Sequence, residues 1–521
     1  MNTKKANQFR PLISGLLLIV ALICASLQFG MRTWGADTGA ATVQAAVSHD
    51  IYILDNAFRY GYVDNLINVD VNGKPMATLS INNSTSIGHN YSIWTRDLYW
   101  GFLGWAQVGD DSVLPVMKSS LRLLIMARNR NQALGQNKGW PLNDGRFYIP
   151  EAYMADGISP ASGFFPWDSE SQADFLLLAC NYWKLSGDKA FIKSIWGDIS
   201  YVTETLQLLD TDGNSLPDAT QGTYDYQNVQ NAEEPLMCAK ASLAYSSVAE
   251  LARILGKNDE ANDLEKLAAH IRETMNKDVA NGGLWDSTNG CYVNMRKFFP
   301  GGRKVDHRFI PYENLVPIWC GMTSDKQNDA IFAKLDHDFD KYYNLKYGPE
   351  YCAPAVGHNK KSILDCSSVP WLGFLDVYLR GKAGHNANRS KIYDLLISHA
   401  HDAGVIPFPE GAGIHGDLTG NSGRTWDNGN FFQMLICGIY GLEKTRDGIR
   451  IRAPERIDSV PLTELRDVCW RKAVYNFKWN GEGKSIESVV IDGNRNIRST
   501  DGIFNLAYKS GTHEVDVNLM P

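Results

Sequence analysis

Short-spaced cysteine pairs are missing from this sequence, and with them the ligand pattern of a structural zinc site. The nine cysteines are scattered. Cys180, Cys238, Cys320 and Cys437 fall in helical patterns, where a thiol packs as a small hydrophobe, and Cys352 and Cys366 are spaced to close a loop. Nothing supports cysteine catalysis. His89, His307, His358 and His415 stand apart without metal-ligand spacing, so no metal and no cofactor is expected; His415 is placed to line a site. A basic stripe is absent too. The formal charge is −7, and removing the +3 of residues 1–46 (Lys4, Lys5, Arg10 and Arg32 against Asp37) leaves −10 for the remainder. That argues against a nucleic-acid partner and suits a neutral substrate. Beyond residue 30 no long apolar run recurs, so the body reads as soluble. No fixed repeat period is present, which argues against a regular solenoid.

What is present begins with Lys4, Lys5 and Arg10, an apolar run from Leu12 to Ala25, and small residues around 35–46. This is the layout of a secretory signal, cleaved after Ala36 or near Ala45, and it implies a periplasmic or extracellular protein. An uncleaved anchor that tethers the chain to a membrane is the rival reading. Cys24 fits a lipoprotein signal less well, because Ile23 before it is bulky. Aromatic residues make up 11% of the chain, with 14 Trp and 23 Tyr. That suits a carbohydrate-binding surface and, equally, a large aromatic core.

Residues 47–89 read as an N-terminal β or linker segment, with "LINVDVNG" and "MATLSI" as hairpin or edge strands. From 90 to 445 amphipathic helices come in pairs. "SESQADFLLLACNYWKLSGD" is followed across Gly187–Asp188 by one helix of about five to six turns, with Phe191, Ile195, Ile199, Val202, Leu206 and Leu209 on its apolar face. In the next pair, Pro235 opens a helix that Gly256 stops. Short turns alternate with long aromatic and acidic loops, a pattern that closes helices into a toroid with every long loop on one face. Residues 446–521 read as a small β-sandwich subdomain.

The chemistry belongs in those loops. In "NYSIWTRDLYW", Trp94, Arg96 and Asp97 can hold a sugar: the guanidinium donates, the carboxylate accepts and the indole covers a C–H face. An Asp97 N-cap beside a surface Arg96 explains the same residues. Trp167–Asp168 at a helix start, and Arg424 with Trp426–Asp427, carry the same two readings. Trp371 and Trp285 either floor a pocket or sit in the core. "DTDGNSLPD" at 210–218 is close to a calcium loop, but its glycine comes at the fourth position and no Glu closes it, so an Asx-rich turn fits better.

Three stretches resemble a known family and its relatives. "YSIWTRDLYW" looks like the segment of glucoamylase-type six-hairpin glycosidases that puts Arg and Asp on the sugar. "FPEGAGIHGDLTGNSGRTWDNGNFFQMLICGIYGL" resembles the closing segment of the same clan, and "GIRIRAP" resembles the β-tail of related phosphorylases and rhamnosidases. The resemblance implies an all-α main domain, an (α/α)6 barrel, and glycoside hydrolysis by a proton donor and a second carboxylate. It makes Glu410 the base. For the acid it implies Asp225 in "TYD", with Glu233 or Glu234 as the alternative, because the Trp-Glu-Glu of glucoamylases is replaced here by Tyr226, Gln227 and Asn228. Trp94, Arg96, Asp97, Trp167, Asp168, Arg424 and Trp426 then become substrate-binding residues, and the partner an oligosaccharide or glycoside. The expected enzyme is exo-acting and inverting. A polysaccharide lyase, a silent sugar-binding protein and a phosphorylase are the competing functions.

Overall fold

The computed structural model describes residues 51–80, 92–133, 146–154, 169–218, 232–299, 302–344, 348–349, 367–403, 408–409, 411–413, 418–419, 423–460, 463–495 and 502–520. Asp225, Glu410, Trp167 and Asp168 lie outside them, as do Cys352, Cys366 and the N-terminal signal-like segment.

Helix α1, Ile51–Phe58, runs into a wider turn at Arg59–Val63. This stretch reads as extended from its aromatic and β-branched residues. It is helical because Ile53, Leu54 and Ala57 share one helical face and are buried. The strands Leu66–Val71 and Lys74–Leu79 then pair as the expected antiparallel hairpin. Asn65 ties the segment down by donating to the Gly423 carbonyl at 2.7 Å.

The helix pairs follow: α2 Thr95–Val108 and α3 Val113–Ala133, then α4 Ser169–Ser186 with α5 Lys189–Ser194 and α6 Trp196–Gln207. Next come α7 Pro235–Ile254 with α8 Asn258–Met275, and α9 Pro311–Trp319 with α10 Asp325–His337 and the short α11 Phe339–Tyr342. Last are α12 Pro370–Ala383 with α13 Arg389–Ala403, and α14 Thr425–Gln433, continued by Met434–Ile439. Three of these helices, α7, α9 and α12, open on a proline, whose missing N–H costs nothing at the first position.

The single long helix expected after Gly187 is two helices, broken at Ile195. The break leaves the apolar face intact: Phe191, Ile195, Ile199, Val202, Leu206 and Leu209 are all buried. The long segment 278–307 is also more ordered than its turn-rich sequence suggests. Met295–Phe299 pairs with Gly302–Asp306 on one side and with Ala232–Glu233 on the other.

Packing explains the order of the pairs. Helix α2 lies against α4, α4 against α7, α7 against α9, α9 against α12, α12 against α14, and α14 back against α2. The partners α3, α6, α8, α10 and α13 pack against members of that ring. The chain therefore has a helix-rich body whose inner helices make a closed circuit. Beyond it, one sheet joins Leu442–Thr445, Gly448–Ile451 and Phe504–Ala507. A second joins Glu464–Trp470, Ala473–Asn480, Gly511–Leu519, Ile486–Ile491 and Asn494–Arg495 in that spatial order. Trp470 links the two by donating to the Thr445 carbonyl at 2.8 Å.

Among the described residues no helix is long and apolar enough to cross a membrane, and the free cysteines are Cys180, Cys238, Cys291, Cys320, Cys437 and Cys469. Burial pushes the thiols of Cys180 and Cys320 up to about 12, which suits packing rather than nucleophilic chemistry.

Candidate active site

Near the starts of the ring helices, charged side chains bond several of these helices to one another. On α2, Arg96 donates to Glu170 of α4 at 2.6 Å. Glu170 also accepts from Lys240 of α7 at 2.6 Å, and Lys240 pairs with Asp174 at 2.5 Å. The backbone N–H of Leu236, in the first turn of α7, donates to Glu313 of α9 at 2.7 Å. On α14, Asp427 accepts from the backbone of Trp371 on α12 at 3.2 Å and from Arg424 at 2.6 Å. Arg424 carries the network across to α2 by standing 3.8 Å from Asp97. All these groups are buried. One rim of the ring is thus a polar network, and its carboxylates sit where helix N-termini favour negative charge.

Several residues expected from sequence meet here: Trp94, Arg96, Asp97, Arg424 and Trp426. Asp97 is not an N-cap; Trp94 holds the cap position of α2 and Asp97 lies inside the first turn. The Trp94 indole donates to Ser92 at 2.8 Å. Trp426 is buried beneath two guanidinium groups, Arg424 at 4.6 Å and Arg96 at 5.9 Å from its ring. It belongs to an aromatic cluster with Trp371 at 4.7 Å and Trp100 at 6.1 Å. Trp371 is accordingly a core residue beneath the rim. Trp285 is partly buried against Tyr292, on a separate hairpin.

The two alternative acids differ in circumstance. Glu233 is fully buried, ion-paired with Arg296 and bonded to the Asn214 amide at 2.6 Å. Its carboxylate is thus engaged on both sides, by Arg296 and by Asn214. Glu234, next to it, takes the N-cap position of α7 with no capping bond from its side chain. Of the other loop acids, Asp286 is bonded to His307 at 2.7 Å and to Asn289, and Asp306 to Arg308 and Asn294.

Lys240, Asp174 and Glu313 are rim residues that sequence reasoning missed. Each interrupts an apolar helical run, as in "MCAKASLAY" and "PYENLVPIW", and that interruption was the available signal. Burial works against the Lys240 charge, but Asp174 and Glu170 outweigh it and hold the ammonium above its ordinary range. Glu313 also moves up, which for a carboxyl favours the neutral form. Burial first, and then the charge of neighbouring Glu234, push its carboxyl well above the usual carboxylate range.

Two described strands follow the expected catalytic acids in sequence. The segment that contains Asp225 ends at Ala232–Glu233, immediately before α7. Directly after Glu410, Gly411–Gly413 pairs with Ser367–Ser368, immediately before α12. Both strands lie beside the starts of ring helices.

Neither a family model nor a curated protein matches the chain. Solved structures do. A GH78 family rhamnosidase of Bacillus sp. GL1 is similar at a TM-score of 0.51 and 15% identity, over 75% of this chain and 38% of that one. A glycosidase bearing a Glu-to-Ala substitution matches at 0.51 and 16%, over 74% and 97%. An uncharacterized conserved protein from Thermus thermophilus matches at 0.51 and 10%, over 74% and 99%. This chain spans well under half the length of the rhamnosidase. At such identities the likeness is one of fold.

Proposed function

We propose that this chain, which shares its fold with glycoside hydrolases, is itself a secreted glycoside hydrolase built on an (α/α)6 barrel, exo-acting and inverting. The observation that carries this reading is the polar rim: guanidinium groups, carboxylates and a tryptophan are gathered at the starts of successive ring helices. Asp225 is the proton donor and Glu410 the base that activates water. The described strands that follow them in sequence, Ala232–Glu233 and Gly411–Gly413, lie beside the starts of α7 and α12. Inversion requires the two carboxyls to stand about 6.5–9.5 Å apart with room for water between them. Glu233, which is ion-paired with Arg296, or Glu234 is the alternative acid. Arg96, Asp97, Arg424 and Trp426, with Trp94, Trp167 and Asp168, hold the sugar. The substrate is a neutral oligosaccharide or glycoside, reached outside the cytoplasm through the N-terminal signal-like segment or from a membrane tether.

A panel of aryl glycosides, with the first-released anomer followed by NMR, tests this reading. Hydrolysis with inversion is the expected outcome. A product absorbing as an unsaturated uronate would instead assign a lyase, and tight sugar binding without turnover on any glycoside would assign a silent binding protein.

A further inference from the structure

The turn expected at 210–218 is present. The Asp210 carboxylate accepts from the backbone N–H groups of Gly213, Asn214 and Ser215 at 2.9–3.1 Å. That accounts for Asp210 as an Asx-turn residue, but not for Asp218. Asp218 is buried, 2% exposed. One of its oxygens accepts from the backbone and hydroxyl of Thr211 at 3.2 and 2.7 Å. The other, Oδ2, has no hydrogen-bond partner. An ionised carboxylate only accepts, so a buried oxygen without a donor beside further acids calls for a cation.

Asp210, Asp212 and Asp218 each bring a carboxylate oxygen within 4.8 Å of the others'. Oxygens bound to Ca²⁺ at about 2.4 Å stand no more than about 4.8 Å apart, so the three fit around one ion. A set of oxygens alone, with no nitrogen or sulfur, selects a hard cation. We propose that Asp210, Asp212 and Asp218 form a calcium site, with water completing the shell.

The site would brace one side of the candidate active site. Asn214 on this loop donates to Glu233, whose strand leads straight into α7. Its test stands apart from the glycosidase reading, because it reads binding and stability only. The full chain is stripped with EDTA and titrated with CaCl2 by calorimetry, and its Tm is measured with and without the ion. One site and a Tm raised by Ca²⁺ are expected, with a smaller response to Mg²⁺, which demands a tighter octahedral shell. Asp218→Asn should weaken binding at least about tenfold by removing ligand charge. Because Asp212 is exposed, Asp212→Asn should fold with the parent's calcium-free Tm and still lose affinity. No heat and no Tm shift at millimolar Ca²⁺ would overturn the assignment, as would an undiminished response in both variants or an equal response to Mg²⁺.

Discussion

A carboxyl that is buried and also faces another carboxylate is hard to ionise, and Glu313 is that group in this rim. Its folded pKa lies above the ordinary 4.5, so the native state binds more protons than the unfolded chain as pH rises past that value. Stability contributed by the protonated form is therefore full below pH 4.5 and declines above it, by up to about 1.4 kcal/mol per pH unit until the folded pKa is passed. Glu313→Gln keeps the acceptor for the Leu236 N–H and cannot ionise. Thermal denaturation between pH 5 and 8 should show a shallower loss of Tm with pH in this variant than in the parent; identical slopes would mean that Glu313 is not the titrating group. The legibility of single residues divides along the same line. Arg96, Asp97, Arg424 and Trp426 could be read because they stand in short motifs at helix starts. Glu313, Asp174 and Lys240 could not, because the helical period assigns their positions to the core and nothing local shows that facing helices supply their partners.

Elements are held together by how closely their backbones approach. Helices α2 and α14 meet at Gly101, Gly104 and Gly429, and a Cβ at Gly104 would run into the Gly429 carbonyl. Gly104→Ala should therefore destabilise the chain by about 1–3 kcal/mol, the usual cost of overpacking, because backbone must move. Gly197, near the start of α6, has nothing within 4 Å of an added Cβ. Gly197→Ala should be neutral or stabilise by about 0.5–1 kcal/mol through helix propensity. Urea denaturation of both variants checks the contrast; equal effects would place the α2–α14 contact elsewhere. Helix faces were readable from the three-and-four spacing, as the buried faces of α6 and α8 show. The break at Ile195 was not, since both fragments keep the same face inward and the apolar period runs through it undisturbed. Helix α1 was hidden for the opposite reason: its residues favour strands locally, and burial of one face outweighs that preference.

At the scale of the whole molecule, packing of distant helices does what no stretch of sequence can, linking the starts of α12, α14, α2, α4, α7 and α9 in one run of polar contacts. Paired helices with long connectors were visible in the sequence. Which helices would touch depends on contacts between residues far apart in the chain, and Arg424 beside Asp97 is the clearest case. The proposed chemistry rests on that packing, because Asp225 and Glu410 belong to distant segments that must act on one glycosidic bond. Turnover of Glu410→Gln on an aryl glycoside cleaved by the parent is the most direct test. The expected result is a loss of about 10²–10⁴-fold in kcat with sugar binding and Tm retained. Turnover close to the parent's would contradict the assignment of Glu410 as base and, with it, the two-carboxylate mechanism.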